Sequence, residues 1–100
     1  MSYKIEFHSD VYEDYREAYD YYEKSKQGLG DRFIAAVRRK VDQIVETPEI
    51  FGAKSRKGYR EARVEVFPYL IVYKIYKQQK AILVNSIHHE KKHPRKKYRK

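Results

Sequence analysis

The residues best equipped for chemistry in this 100-residue chain lie in its second half. His88 and His89 close an apolar run, Arg60 and Arg63 flank the start of another, and Tyr98 stands near the end. An imidazole titrates near neutrality, and a phenol or a lysine ammonium can pass on a proton. His89 with Tyr98 therefore offers an acid–base pair, and Arg60 and Arg63 offer cations beside it. That set suits RNA cleavage. The ribose 2′-hydroxyl is then the attacking group, and the protein supplies only a base, a proton donor and positive charge around the pentacovalent phosphate. Lys54, Arg56, Lys57, Lys91, Lys92, Arg95, Lys96 and Lys97 form a wider basic set that would hold a nucleic-acid backbone. Tyr59, Tyr69 and Tyr98 interleave with it, and unstacked bases rest on such rings. The plainer alternative is structural: strand-end tyrosines usually pack, and a histidine closing a strand is more often a satisfied core residue.

Other chemistries find less support. His89 and His93 have the spacing of a helical metal pair, but Pro94 opposes a helix there. A metal site needs three or four ligands at ~2 Å, and no acidic pair or cysteine accompanies them, so no metal is expected. Gly28-Leu29-Gly30 is too short for a phosphate loop and fits a turn; no nucleophile elbow is present. No cofactor is expected. Asp14, Glu17, Asp20 and Glu23 follow helical spacing and read as a solvated face.

The charge is divided unevenly. Residues 1–50 hold eight Lys/Arg against eleven Asp/Glu, a net of −3; residues 51–100 hold fifteen against three, a net of +12, giving the +9 of the whole chain. Concentrated positive charge repels itself and suits a polyanionic partner, either nucleic acid or an acidic protein segment. The absence of cysteine excludes disulfides and thiolate metal sites and fits a reducing compartment. No apolar run approaches a membrane span, and the first ten residues lack a signal-peptide core. A cytoplasmic protein without a membrane partner is expected, built as one domain over residues 1–100 with a basic tail from about 90.

The elements that must position these residues are readable from periodicity. Tyr3-Lys4-Ile5-Glu6-Phe7 alternates with period two, as a half-buried strand does. Asp10 and Glu13 have capping-box spacing and predict a helix from about residue 11, with Val11, Tyr15, Ala18 and Tyr22 on one face. A second helix is predicted over residues 29–46, with Phe33, Val37, Val41 and Ile44 as its apolar stripe, ended by Thr47-Pro48. A glycine turn so short makes the two an antiparallel hairpin. Three strands follow, over residues 59–67, 69–76 and 81–88. The near-continuous apolar character of 70–73 and 81–84 predicts central positions for the last two. The expected fold is α+β, ordered β-α-α-β-β-β, with a helical hairpin on a mainly antiparallel four-stranded sheet.

In the order and spacing of its motifs the chain resembles the RelE/ParE superfamily of toxins from bacterial type II toxin–antitoxin modules. The resemblance rests on the Tyr3-Lys4-Ile5-Glu6-Phe7 opening, on Tyr21-Tyr22 before Gly28-Leu29-Gly30-Asp31-Arg32-Phe33, and on Tyr59-Arg60. Its most specific parts are Phe67-Pro68-Tyr69-Leu70-Ile71-Val72-Tyr73 and the Ile82-Leu83-Val84 run leading to Ile87, His89 and Pro94. It implies a growth-inhibiting toxin neutralised by a cognate antitoxin. It also implies one of two mechanisms: RelE-like cleavage of messenger RNA on the ribosome, or ParE-like poisoning of DNA gyrase. RelE-like enzymes carry an arginine directly after the tyrosine matched by Tyr69 and another just past the last strand. This chain has Leu70 and Glu90 there, and its Phe-Pro-Tyr segment resembles the ParE-like branch. The basic tail favours docking on RNA, and ribosome-dependent cleavage is the expected activity, with gyrase poisoning or simple RNA binding as alternatives.

Overall fold

A computed structural model describes residues 3–52, 57–92 and 97–98. Its elements are β1 (Lys4–Phe7), α1 (Val11–Ser25), α2 (Leu29–Glu46), β2 (Arg60–Arg63), β3 (Tyr69–Tyr76) and β4 (Ala81–His89). The α+β order is the expected one. The sheet runs β1-β4-β3-β2, so the two most apolar strands are central. β2–β3 and β3–β4 are antiparallel, and β1 joins β4 in parallel.

The hairpin turns on glycine. Gly28 has φ 88°, a left-handed conformation that costs a residue without Cβ little. The backbone N–H groups of Gly28 and Gly30 both donate to the Glu23 carboxylate at 2.9 Å, filling two of the donors that a helix N-terminus leaves unpaired. A Cβ at Gly30 would lie 2.8 Å from both Glu23 and the Tyr19 ring, so the helices approach there as only glycine allows. At the other end of α1, Asp10 makes no side-chain cap; its N–H donates to His8 Nδ1 at 3.0 Å instead. Asp14 accepts the Ile87 N–H at 3.0 Å, on the side of β4 that β1, ending at Phe7, no longer covers. Two of the four carboxylates read as a solvated face thus satisfy buried or strand-edge donors.

The expected stripes form the core. Val11, Ala18, Phe33, Val37 and Ile44 from the helices meet Ile71, Tyr73, Ile82, Val84 and Ile87 from the sheet. Tyr22, Phe33, Phe67 and Tyr69 pack as edge-on and tilted rings with centroids 4.9–6.2 Å apart, each pair adding about 0.5–1.5 kcal/mol beyond its buried area. Buried Tyr73 donates its hydroxyl to the Pro48 carbonyl at 2.6 Å, tying the end of α2 to the sheet.

Two strands differ from expectation. β2 stops at Arg63, not at residue 67, because residues 65–68 bend and Val66 takes φ 76° with its side chain 88% exposed. That backbone is strained for a β-branched residue. β4 is one residue longer and carries a bulge: Val72 pairs with Ser86 and Tyr73 with Val84, leaving Asn85 without a partner in the ladder.

Candidate functional site

Residues directly opposite in a ladder point to the same face of the sheet. Arg60 pairs with Tyr73 and His89 with Tyr69, and both tyrosines belong to the helix-covered core. Arg63 pairs with Leu70, Leu70 with His88, Glu61 with Val72, and Val72 with Ser86. Those residues face the other way, onto the helix-free, open side of the sheet, where Val72, Ser86 and His88 are nevertheless buried. The four residues expected to carry catalysis are therefore divided. Arg60 and His89 lie on the helix side; Arg63 lies on the open side, where Tyr98 joins it.

Each helix-side residue has a structural partner. The Arg60 guanidinium donates to the Phe51 carbonyl, holding the segment that leaves α2. The His89 ring stands edge-on to Tyr69 at 4.9 Å, and its Nδ1 accepts the Lys91 N–H at 3.0 Å.

The open face is organised by Glu61, whose side chain is only 9% exposed. Its carboxylate accepts a hydrogen bond from the Tyr98 hydroxyl and lies 2.9 Å from Lys97 Nζ. Burial and then Glu61 push the Tyr98 phenol up to about 12, so it keeps its proton at neutral pH. The bulge holds the other end of this cluster. By breaking the alternation it aims both Asn85 and Ser86 at the Lys97 carbonyl, each donating at 2.9 Å. The Tyr98 ring stacks on Tyr59 with centroids 5.0 Å apart. Along the same face, His88 is buried and its Nε2 lies 3.3 Å from the Lys92 carbonyl. Burial lowers its pKa, so the imidazole is neutral at pH 7. Arg63 Nε donates to Glu90 at 2.7 Å, with the Arg63 side chain 58% exposed.

Of the wider basic set, Lys57, Lys91 and Lys92 are exposed and Lys97 is half-buried in the cluster. Lys54, Arg56, Arg95 and Lys96 lie outside the described residues. Tyr69 is a core residue, its phenol pushed up to about 12 mainly by burial. Sequence reasoning passed over Glu61. Its signal was small: it is one of three acids among the last fifty residues, inside a strand between two arginines. Among the described residues no group of three or more His, Asp or Glu is gathered as a metal site would need. No described helix is long and apolar enough to cross a membrane. A shallow groove of about 260 Å³ on the helix side, lined by Phe7, Tyr15, Ile34, Arg38, Val41 and Asp42, is separate from all of these residues.

A helical hairpin laid on one face of a mixed sheet, with a polar cluster on the other, defines a class of small α+β proteins, and comparison places the chain within it. Residues 5–94 match the family model described as ParE toxin of type II toxin–antitoxin system, parDE. The chain belongs to that family, within the RelE/ParE superfamily. No curated protein matches it in sequence. Solved structures share its fold: a chromosomal ParDE toxin–antitoxin system from P. aeruginosa matches at TM-score 0.75 and 16% identity, covering 87% of this chain and 95% of that one. A mutant E. coli RelE toxin in the free state matches at 0.68 and 18%, covering 91% and 86%. The RelBE2 toxin–antitoxin complex of Mycobacterium tuberculosis matches at 0.66 and 18%, covering 89% and 99%.

Proposed function

We propose that this toxin inhibits growth by cutting messenger RNA with the open face of its sheet. The observation that supports this is the Glu61–Tyr98–Lys97 cluster, which joins a carboxylate, a protonated phenol and an ammonium on one face with Arg63 two residues along the strand. In the proposed step the 2′-oxygen attacks phosphorus and its proton passes to Glu61. The bond from phosphorus to the 5′-oxygen breaks, and that oxygen takes the proton of Tyr98. The products are a 2′,3′-cyclic phosphate and a 5′-hydroxyl. The hydrogen bond between the two side chains then returns the proton from Glu61 to Tyr98, so the pair is restored without a metal. Lys97 and Arg63 balance the charge that builds on the phosphoryl oxygens. Arg60 and His89 act structurally in this scheme, since they occupy the covered side.

A cognate antitoxin is the proposed regulator: the solved relatives include toxin–antitoxin complexes, and the basic second half suits an acidic segment. The proposed setting is the cytoplasm, where ribosomes meet message. The test is incubation of the purified chain with programmed ribosomes. Cut message that becomes intact with Tyr98→Phe or Glu61→Gln is the expected result; intact message with the native chain contradicts the proposal. A second reading, a non-catalytic poison of DNA gyrase, is favoured by the match to the ParE model and by Leu70 in place of an arginine. Loss of gyrase supercoiling with message left whole would establish it.

A further inference from the structure

The open face continues past the Glu61 cluster into a row of rings and ammonium groups. Lys74 and Tyr76 follow Leu70 and Val72 at steps of two along β3, so all four share the open face. Lys74 Nζ lies 5.5 Å from the centre of the Tyr59 ring and 5.6 Å from that of Tyr76. Tyr59 stacks in turn on Tyr98, over whose ring Lys97 Nζ sits at 5.5 Å. The order along the face is Tyr76, Lys74, Tyr59, Tyr98, Lys97. Gly58, at φ 84°, is a left-handed residue just before Tyr59. Tyr76 is 38% exposed although it is large and apolar, at the open end of the row.

Rings held beside ammonium groups, in the half of the sequence that carries the excess positive charge, complement one kind of polymer. Single-stranded nucleic acid offers flat bases to the rings and phosphates to the cations. An acidic peptide would use the lysines and leave the rings idle. We infer that Tyr59, Lys74 and Tyr76 form a subsite for an unstacked nucleobase and its adjoining phosphate on a single RNA strand, next to the Glu61–Tyr98 pair. The base stacks on Tyr76, Lys74 meets the phosphate, and the strand runs from there across Tyr59 toward Glu61. The inference rests on the proposal that the open face takes RNA, and it adds where the strand is gripped beyond the scissile bond.

The experiment is fluorescence anisotropy of a labelled eight-residue oligoadenylate at fixed low salt, repeated with an abasic strand of equal length. Tyr76→Ala should weaken oligoadenylate binding by roughly five-fold or more, the least expected from loss of one stacked base. Lys74→Ala should weaken both strands, because it removes a phosphate contact. Tyr76→Phe should recover the affinity lost in Tyr76→Ala, since the ring and not the hydroxyl stacks. Lys24→Ala, the same charge change on the exposed last turn of α1, should leave binding unaltered. The native chain should prefer oligoadenylate to the abasic strand, and Tyr76→Ala should not. Equal binding of oligoadenylate by the native chain and Tyr76→Ala, or no native preference over the abasic strand, overturns the subsite. Cut message on ribosomes together with that result leaves the cleavage proposal standing and removes the subsite alone. Discriminating binding with intact message does the reverse.

Discussion

The two faces of the sheet are built by different physics. On the helix side, Phe33, Val37, Ile44, Ile71 and Tyr73 are fully enclosed, and position is set by shape and apolar burial. On the open side, Glu61, Tyr98, Lys97, Asn85 and Ser86 are set by hydrogen bonds and charge. Apolar packing is redundant and tolerates small losses; the polar cluster hangs on one carboxylate. The contrast teaches where to look for function in a fold this small. A residue with chemical potential on the covered side, such as His89 or Arg60, is already engaged in holding the chain together. On the open side Glu61, Asn85 and Ser86 are engaged and buried as well, and it is Arg63 and Tyr76 that stand within reach of a solute.

The largest expected effect is on the covered side. Phe33→Ala empties the centre of the aromatic cluster and should cost about 3–5 kcal/mol of stability, read as a shifted midpoint in urea denaturation. On the open side, Glu61→Gln or Tyr98→Phe should lower the cleavage rate by about 100-fold, the lower end of what acid–base catalysis supplies. The urea midpoint should move far less for Tyr98→Phe than for Phe33→Ala, whereas Glu61→Gln also breaks the buried pair with Lys97 and should move it markedly. A large shift for Tyr98→Phe would mean that both faces are structural. Gly30→Ala should cost about 1–3 kcal/mol, since its methyl meets Glu23 and the Tyr19 ring at 2.8 Å.

His88 separates the faces by pH. Its folded pKa lies below the ordinary 6.5, so the unfolded chain takes the proton first as pH falls. Stability should be level above about 6.5 and decline below it until the folded pKa is passed. His88→Gln should flatten that decline in thermal melts recorded across the range. The smallest effect belongs to the exposed Arg63–Glu90 pair: Glu90→Ala should change stability by less than about 1 kcal/mol.

Most of the fold was legible because it follows periodicity. The stripes of α1 and α2 and the apolar runs of β3 and β4 state which surfaces must be buried, and burial orders the sheet. The end of β2 was not legible, since a left-handed Val66 defies the local propensity that a valine carries. Nor was the division of the candidate site. Pairing register decides which face a residue takes, and a β-bulge at Asn85 shifts that parity within β4. His88 and His89 look equivalent in sequence and lie on opposite faces. Glu61 drew no attention because its role comes from Lys97 and Tyr98, more than thirty residues away.

The central claim is that chemistry belongs to the open face, and one measurement tests it most directly. Message cleavage on programmed ribosomes should be compared for the native chain, Glu61→Gln and His89→Ala, with the 3′ end of the product identified. The account predicts a 2′,3′-cyclic phosphate from the native chain and from His89→Ala, and near-complete loss with Glu61→Gln. Full activity in Glu61→Gln, or loss confined to His89→Ala, would place the chemistry on the covered side and contradict it.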